Sequence, residues 1–376
     1  LSQTARGELH DPDQPLEQAF FASQESLVLP SAFFKAATTL TLEPIYVRLA
    51  GTHNDKTVYV ALPVSDVSVA DRPQAQFAPF VYTASPRAHG QIHEQPRTLA
   101  DLQDYLEEVP FIDKLRQHLL ELKADSSFDG GLKLLVIVRL PRQREAGGDV
   151  ETIEVWTFAS VNNLVDIGTD LGIWEIHENE IALLWGIDVS RLGQTSSLIM
   201  LNPIQALTRE MAAAFNGLNP SETRYIAIGA GILGSQVVNN LIRAGQGNWV
   251  WVDEDQYLPH NAARHYLPSC YIGQDKAMAM KALLGNIWEK MELQAIAANV
   301  LLPASSSLLT AFSEAEVILD MSASVVVARH LSSGVESSAR RISLFLNPSG
   351  TDVVLLAEGS DRALRLDHLE MEYYRG

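Results

Sequence analysis

One short stretch limits the folds open to this chain more than anything else in it. Arg224-Tyr-Ile-Ala-Ile228 is an apolar strand that runs straight into Gly229-Ala-Gly231-Ile-Leu-Gly234. A helical pattern follows, with Val237, Val238, Leu241 and Ile242. In a strand–turn–helix of this kind the first glycine makes the tight turn, the second lets backbone amides approach a phosphate, and the third lets helix pack on strand. The helix N-terminus then offers unpaired N–H groups and a positive dipole end to an anion. The triplet alone is shared by many close strand–helix turns. Its context narrows the reading. The next strand, Trp249-Val-Trp-Val252, ends in Asp253-Glu-Asp255, and Asp253 follows the first glycine by 24 residues. That is near the ~20 at which an acid meets a ribose hydroxyl.

The residues after that acid do not suit a dehydrogenase. Gln256 to Ala277 is a loop-rich run carrying Asn261, Arg264, His265, Gly273 and Lys276. Arginine binds phosphate as a bidentate fork and lysine as a point charge. Two such cations beside a phosphate-binding turn point to a triphosphate rather than to a pyrophosphate bridging two nucleosides. A nicotinamide-dependent oxidoreductase leaves them unexplained.

Taken in order, Gly229-Ala-Gly-Ile-Leu-Gly234, Ala244-Gly-Gln-Gly247, Val252-Asp-Glu-Asp255, Asn261-x-x-Arg264 and Ile272-Gly-Gln-Asp-Lys276 closely resemble the ubiquitin-activating-enzyme superfamily, of ThiF/MoeB type. The resemblance implies a Rossmann-like ATP-binding adenylation domain that uses Mg²⁺-ATP to adenylate the C-terminal glycine of a ubiquitin-like or sulfur-carrier protein. It assigns the nucleotide to Gly229, Gly231, Gly234, Asp253, Asp255, Asn261, Arg264 and Lys276. Asp253 would hold the ribose, and Asn261, Arg264 and Lys276 the phosphates. Arg264, Lys276 and Asp320 would serve the chemistry, with Asp320 as metal ligand. The partners implied are the Gly-terminated carrier, a conjugating enzyme and, as in many relatives, a second copy of the chain. The pathways implied are conjugation, antiviral defence included, or cofactor sulfur transfer.

The sequence departs from that pattern in three places. His265 follows Arg264 where the family has glutamine. No CxxC pair is present, so the zinc clamp common in such proteins is absent, which favours conjugation over sulfur transfer. Asp320-Met-Ser-Ala-Ser324 replaces a D-x-[ST]-D-N run, and Ala323 stands where the metal-binding aspartate is expected. The altered Asp320 run favours a rival reading, a non-catalytic adapter that binds the carrier and scaffolds a complex; retained Asp253, Arg264 and Lys276 oppose it. Cys270, between Arg264 and Lys276, precedes the region where such enzymes carry a thioester cysteine and reads as a loop residue. Asp320 has a second reading as a cap, accepting amides at Ser322 or Ala323.

Composition sets outer bounds. Lys and Arg total 28 against 46 Asp and Glu, a formal charge of −18, which repels a phosphate backbone and argues against nucleic-acid binding. One cysteine excludes an intrachain disulfide framework and fits a reducing, cytoplasmic setting. No apolar run reaches the ~20 residues of a membrane span. The chain starts at Leu1 without a signal-peptide core or an initiator methionine, as in a processed or trimmed polypeptide.

The length suits two domains, read as residues 1–200 and 203–376. The first is a mixed α/β accessory domain, a degenerate conjugating-enzyme-like domain by analogy. Strands are expected at Leu40–Leu49, Lys56–Val64, Leu132–Leu140 and Glu151–Ala159, with a hairpin turn at Gly51–Asp55. A helix is expected from Leu99 to Leu122. Asn202, Pro203 and Gln205 have the spacing of a helix start that would run to Phe215. Strands at Ile342–Leu346 and Val353–Ala357 precede an amphipathic helix from Leu366 that stops without a cap, the pattern of a chain that continues. His53, His89, His93 and His260 lack ligand spacing and read as surface residues.

Overall fold

The computed structural model describes residues 23–375 except 37–41, 69–74, 89–94, 109, 179, 286, 289–290 and 303–304. The chain divides into two units, Leu1–Ala206 and Leu207–Gly376. Leu40, His89 and His93 lie outside the described residues.

The first unit is built on strands β1 (Glu25–Leu29), β2 (Ile45–His53), β3 (Lys56–Pro63), β4 (Phe77–Thr83), β5 (Arg87–Ala88), β6 (Lys133–Gln143) and β7 (Val150–Asn163). A small hairpin, β8 (Trp174–His177) and β9 (Glu180–Leu183), and strand β10 (Leu198–Gln205) complete it. The main sheet runs β2-β3-β1-β10-β7-β6-β4, with β5 beside β6. The continuous apolar run Leu134–Val138 marks a strand covered on both faces. Leu134, Val136 and Val138 enter one core, and Leu135 and Ile137 the other. The β2–β3 hairpin closes on Asn54 and Asp55, both at positive φ (47° and 62°), as a tight two-residue turn requires.

Two expectations for this half are corrected. The helix at Leu99–Leu122 is two helices, α1 (Leu99–Leu106) and α2 (Pro110–Ala124). Thr98 and Asp101 cap the first reciprocally, and Glu107 turns left-handed at its end. Pro110 then starts the second, because proline fits the first turn of a helix and breaks its interior. Nor does a helix start at Pro203. Residues 198–205 form β10, in which Leu27 of β1 pairs with Pro203 and Leu201 pairs with Thr157 of β7. The residue before a proline avoids helical φ/ψ, and two neighbouring strands were there to accept an extended segment. Helix α3 (Leu164–Asp170) completes this unit.

The second unit begins with α4 (Arg209–Phe215), capped by Thr208 through the Met211 amide. It then alternates β11 (Ser221–Ile228), α5 (Ile232–Arg243), β12 (Gln246–Val252), α6 (Lys276–Leu284), β13 (Leu293–Ile296), α7 (Ser306–Glu314), β14 (Val317–Asp320), α8 (Val325–Arg329), β15 (Arg340–Leu346), β16 (Val353–Ala357) and α9 (Leu366–Arg375). The sheet order is β13-β12-β11-β14-β15-β16, parallel except for β16. Numbered within the unit, that is 3-2-1-4-5-6, the doubly wound Rossmann order, whose strand direction of travel reverses between β11 and β14. Trp249, Trp251, Val238 and Met280 pack on one face of the sheet, and Ile226, Ile228, Leu308 and Ile318 on the other. Among the described residues no helix is long and apolar enough to cross a membrane.

Candidate functional site

Ligands bind such a sheet beyond the carboxyl ends of the strands, at the point where the strand order reverses. A cavity of about 280 Å³ lies there, walled by Gly229 and Gly231 after β11, Asp253 to Asp255 after β12, Lys276, Ala298 to Leu301 after β13, and Met321 and Ser322 after β14. The three glycines have separate reasons to be glycine. Gly229 has φ +95°, and a Cβ on it would meet the Met321 carbonyl and the Ser322 amide at 2.9 Å. Gly231 is the N-cap of α5, and no atom lies within 4 Å of the place its Cβ would take. The space kept free there is open to a ligand. A Cβ on Gly234 would sit 2.1 Å from the Gly229 carbonyl oxygen, so helix and turn touch through backbone.

Asp253 braces the turn. Its Oδ2 accepts the Ala230 amide at 2.6 Å and its Oδ1 the Asp255 amide at 2.8 Å. Burial raises its pKa, and these two amides oppose the rise. A carboxylate accepts up to about four hydrogen bonds, so both oxygens retain capacity for ribose hydroxyls. Lys276 opens α6, is only 6% exposed, and holds its ammonium 2.8 Å from Asp255 Oδ2. One of its three donors is thus engaged by a carboxylate that is itself largely exposed.

His265 is a residue the sequence offered only as a departure from pattern, and it holds the carbonyl of the residue whose amide Asp253 accepts, Ala230. Its Nδ1 accepts the Leu267 amide at 3.1 Å, so Nε2 carries the proton and donates to the Ala230 carbonyl. Burial depresses the imidazole pKa below 6.5, with the Lys276 charge adding to the fall. A lowered folded-state value makes this contribution complete above the unfolded pKa of 6.5; it fades as pH falls through that value toward the folded one. ATP affinity is therefore expected to drop roughly 3- to 10-fold between pH 7.5 and 5.5, the worth of one neutral hydrogen bond, and to stay flat in His265→Gln. Fluorescence titration with ATP at several pH values measures both.

The remaining expected site residues lie elsewhere. Asn261 caps a 3₁₀ turn by accepting the Leu258 amide at 2.9 Å, and Arg264, three residues on, is exposed. Neither lines the cavity. Cys270 is exposed on the 3₁₀ turn Ser269–Tyr271, and His260 lies on the turn Pro259–Asn261. Asp320 is 3% exposed, and its Oδ1 accepts both the amide (3.0 Å) and the hydroxyl (2.7 Å) of Ser322. These contacts close a local turn; the helix that follows, α8, is capped by Ser324 and not by Asp320. Asp320 lines a neighbouring cavity instead. Ala323 sits at φ +55°, a conformation that aspartate tolerates better than alanine. Among the described residues no three of His, Cys, Asp and Glu converge as a metal site. The Ala298–Leu301 wall went unnoticed in the sequence because it carries no charged or glycine signature.

Residues 217–334 match the ThiF family. Among solved structures, E. coli MccB with ATP is 19% identical over 34% of this chain and 39% of that chain, at a TM-score of 0.28. E. coli MccB with AMPCPP and selenomethionine MccA is 19% identical over 33% and 38%, also at 0.28. Selenomethionine PaaA is 18% identical over 34% and 39%, again at 0.28. The chain thus spans well under half the length of these solved proteins. No curated protein matches it significantly. The matched residues run from Gly217 to Gly334, and so contain β11, β14 and both loops that meet at the strand reversal: it is within the second unit that this chain is similar to the ThiF family.

Proposed function

We propose that this chain binds ATP at the strand reversal and adenylates the C-terminal carboxylate of a small ubiquitin-like or sulfur-carrier protein. The observation that carries the reading is the buried Lys276 ammonium facing the same cavity as the open Gly231 turn. A carboxylate that attacks the α-phosphorus brings negative charge onto negative charge. Fixed amides and cations aimed at phosphoryl oxygens lower that barrier. One acyl oxygen bonds to phosphorus, the bond to the departing pyrophosphate breaks, and no enzyme nucleophile is needed. Lys276 is already in place, and Arg264, exposed on its loop, supplies a second cation once its side chain turns to the phosphates. A divalent ion reaches such a site with the triphosphate, as magnesium commonly does. The first unit acts as an accessory domain, a conjugating enzyme takes the product onward, and the working form is a homodimer.

The Ala323 substitution favours a second reading, an adapter that holds nucleotide or carrier without turnover. Exchange of labelled pyrophosphate into ATP separates the two. The adenylation reading predicts exchange that depends on a Gly-terminated small carrier protein. ATP binding without any exchange would leave the adapter.

A further inference from the structure

Beside the nucleotide cavity, and sharing Ser324 with it, lies a second cavity of about 160 Å³. Two carboxylates face it: Asp320 at the end of β14 and Glu370 on α9, 3% and 8% exposed. Asp320 Oδ1 is occupied by Ser322, while among the described residues Oδ2 has the Ser343 hydroxyl alone, at a long 3.5 Å. Among the described residues no group donates a hydrogen bond to the Glu370 carboxylate, and its one ion-pair partner, Arg329, stands 3.9 Å away and is 70% exposed. Among the described residues no lysine, arginine or histidine lines the cavity. Burial raises the Asp320 pKa, the Ser322 and Ser343 hydrogen bonds oppose the rise, and the Glu370 charge adds a smaller push upward. Two largely buried carboxylates on one small cavity repel each other, and a cation placed between them would offset that repulsion.

The other walls decide which cation fits. Val325, Phe345, Leu356 and Leu366 are apolar, beside the Ser324 and Ser343 hydroxyls, a poor surround for a fully hydrated metal ion and a good one for a hydrocarbon stem. We propose that this cavity is a side-chain subsite for a lysine or arginine of the acyl substrate, its stem against the apolar wall and its charged head between Asp320 and Glu370. The Asp320–Ser324 loop walls both cavities, so one polypeptide can seat its basic residue here while its terminal carboxylate meets the nucleotide. The inference rests on the adenylation reading for the identity of the ligand, and on the cavity alone for its chemistry.

The probe is n-butylguanidinium, titrated into the full chain by ligand-observed NMR, with n-butanol, MgCl₂ and spermidine as companions and ATP titrated in parallel. Millimolar binding of the guanidinium is expected, weakened about tenfold or more in Glu370→Gln, as for a lost charge-assisted bond, while ATP affinity stays unchanged. Val325→Lys, which offers the cavity an ammonium from its own wall, is expected to abolish probe binding and to spare ATP. No binding to the wild type, equal binding of n-butanol, displacement by magnesium, or competition with ATP would each overturn the proposal. Sub-micromolar spermidine binding would assign the cavity to a free polyamine and overturn it too. Absence of ATP binding would instead sink the adenylation reading, with the cation result still readable.

Discussion

Lys276→Ala is expected to weaken ATP binding by at least about 100-fold. Two effects add. A charge-assisted contact to phosphate is worth ~1.5–3 kcal/mol, and each 1.4 kcal/mol is tenfold in affinity. Removing the ammonium also unmasks Asp255, whose carboxylate Lys276 holds at 2.8 Å, and turns a neutralised wall into a repulsive one. Asp255→Asn therefore acts in the opposite direction: it frees the ammonium and is expected to hold or tighten ATP. The pair of variants, titrated calorimetrically, separates a phosphate-binding lysine from one that only pairs with Asp255. If Lys276→Ala binds ATP as the wild type does, Lys276 has no place in the site.

Gly234→Ala tests the turn by its packing. The added Cβ would lie 2.1 Å from the Gly229 carbonyl oxygen, a backbone atom that cannot step aside without moving the turn. Forcing a methyl into such a contact costs ~1–3 kcal/mol or more, and the thermal midpoint of a domain this size is expected to fall by roughly 2–4 °C for each kcal/mol. Gly231→Ala is the control. Its Cβ meets nothing within 4 Å and its φ is −72°, so the fold is expected to keep its melting temperature while ATP affinity falls, because the methyl fills the space left for a phosphate. Equal melting losses in the two variants would remove the distinction between a packing glycine and a ligand-facing one.

What could be read from the sequence follows from where the constraint is local. The Gly229–Gly234 turn and the Asp253 that follows β12 were legible because backbone geometry alone dictates glycine there and because strand, turn and helix are contiguous. The break at Pro110 was equally local and was overridden by an apolar spacing that runs unbroken across it. Residues 198–205 were misread for a different reason. Their extended form depends on pairing with Leu27 and Thr157, far off in sequence, against which a cap-like Asn202-Pro203 says nothing. The role of His265 depends on a carbonyl 35 residues earlier. Asp320 accepts from Ser343 of β15 and shares a cavity with Glu370 of α9. Such tertiary partners leave no periodic mark.

The central claim is that the strand reversal holds a triphosphate nucleotide. Isothermal titration of the full chain with ATP and, separately, with NAD tests it most directly. The account predicts saturable ATP binding that the Lys276→Ala variant loses, and no binding of NAD; saturable NAD binding with none of ATP would contradict it.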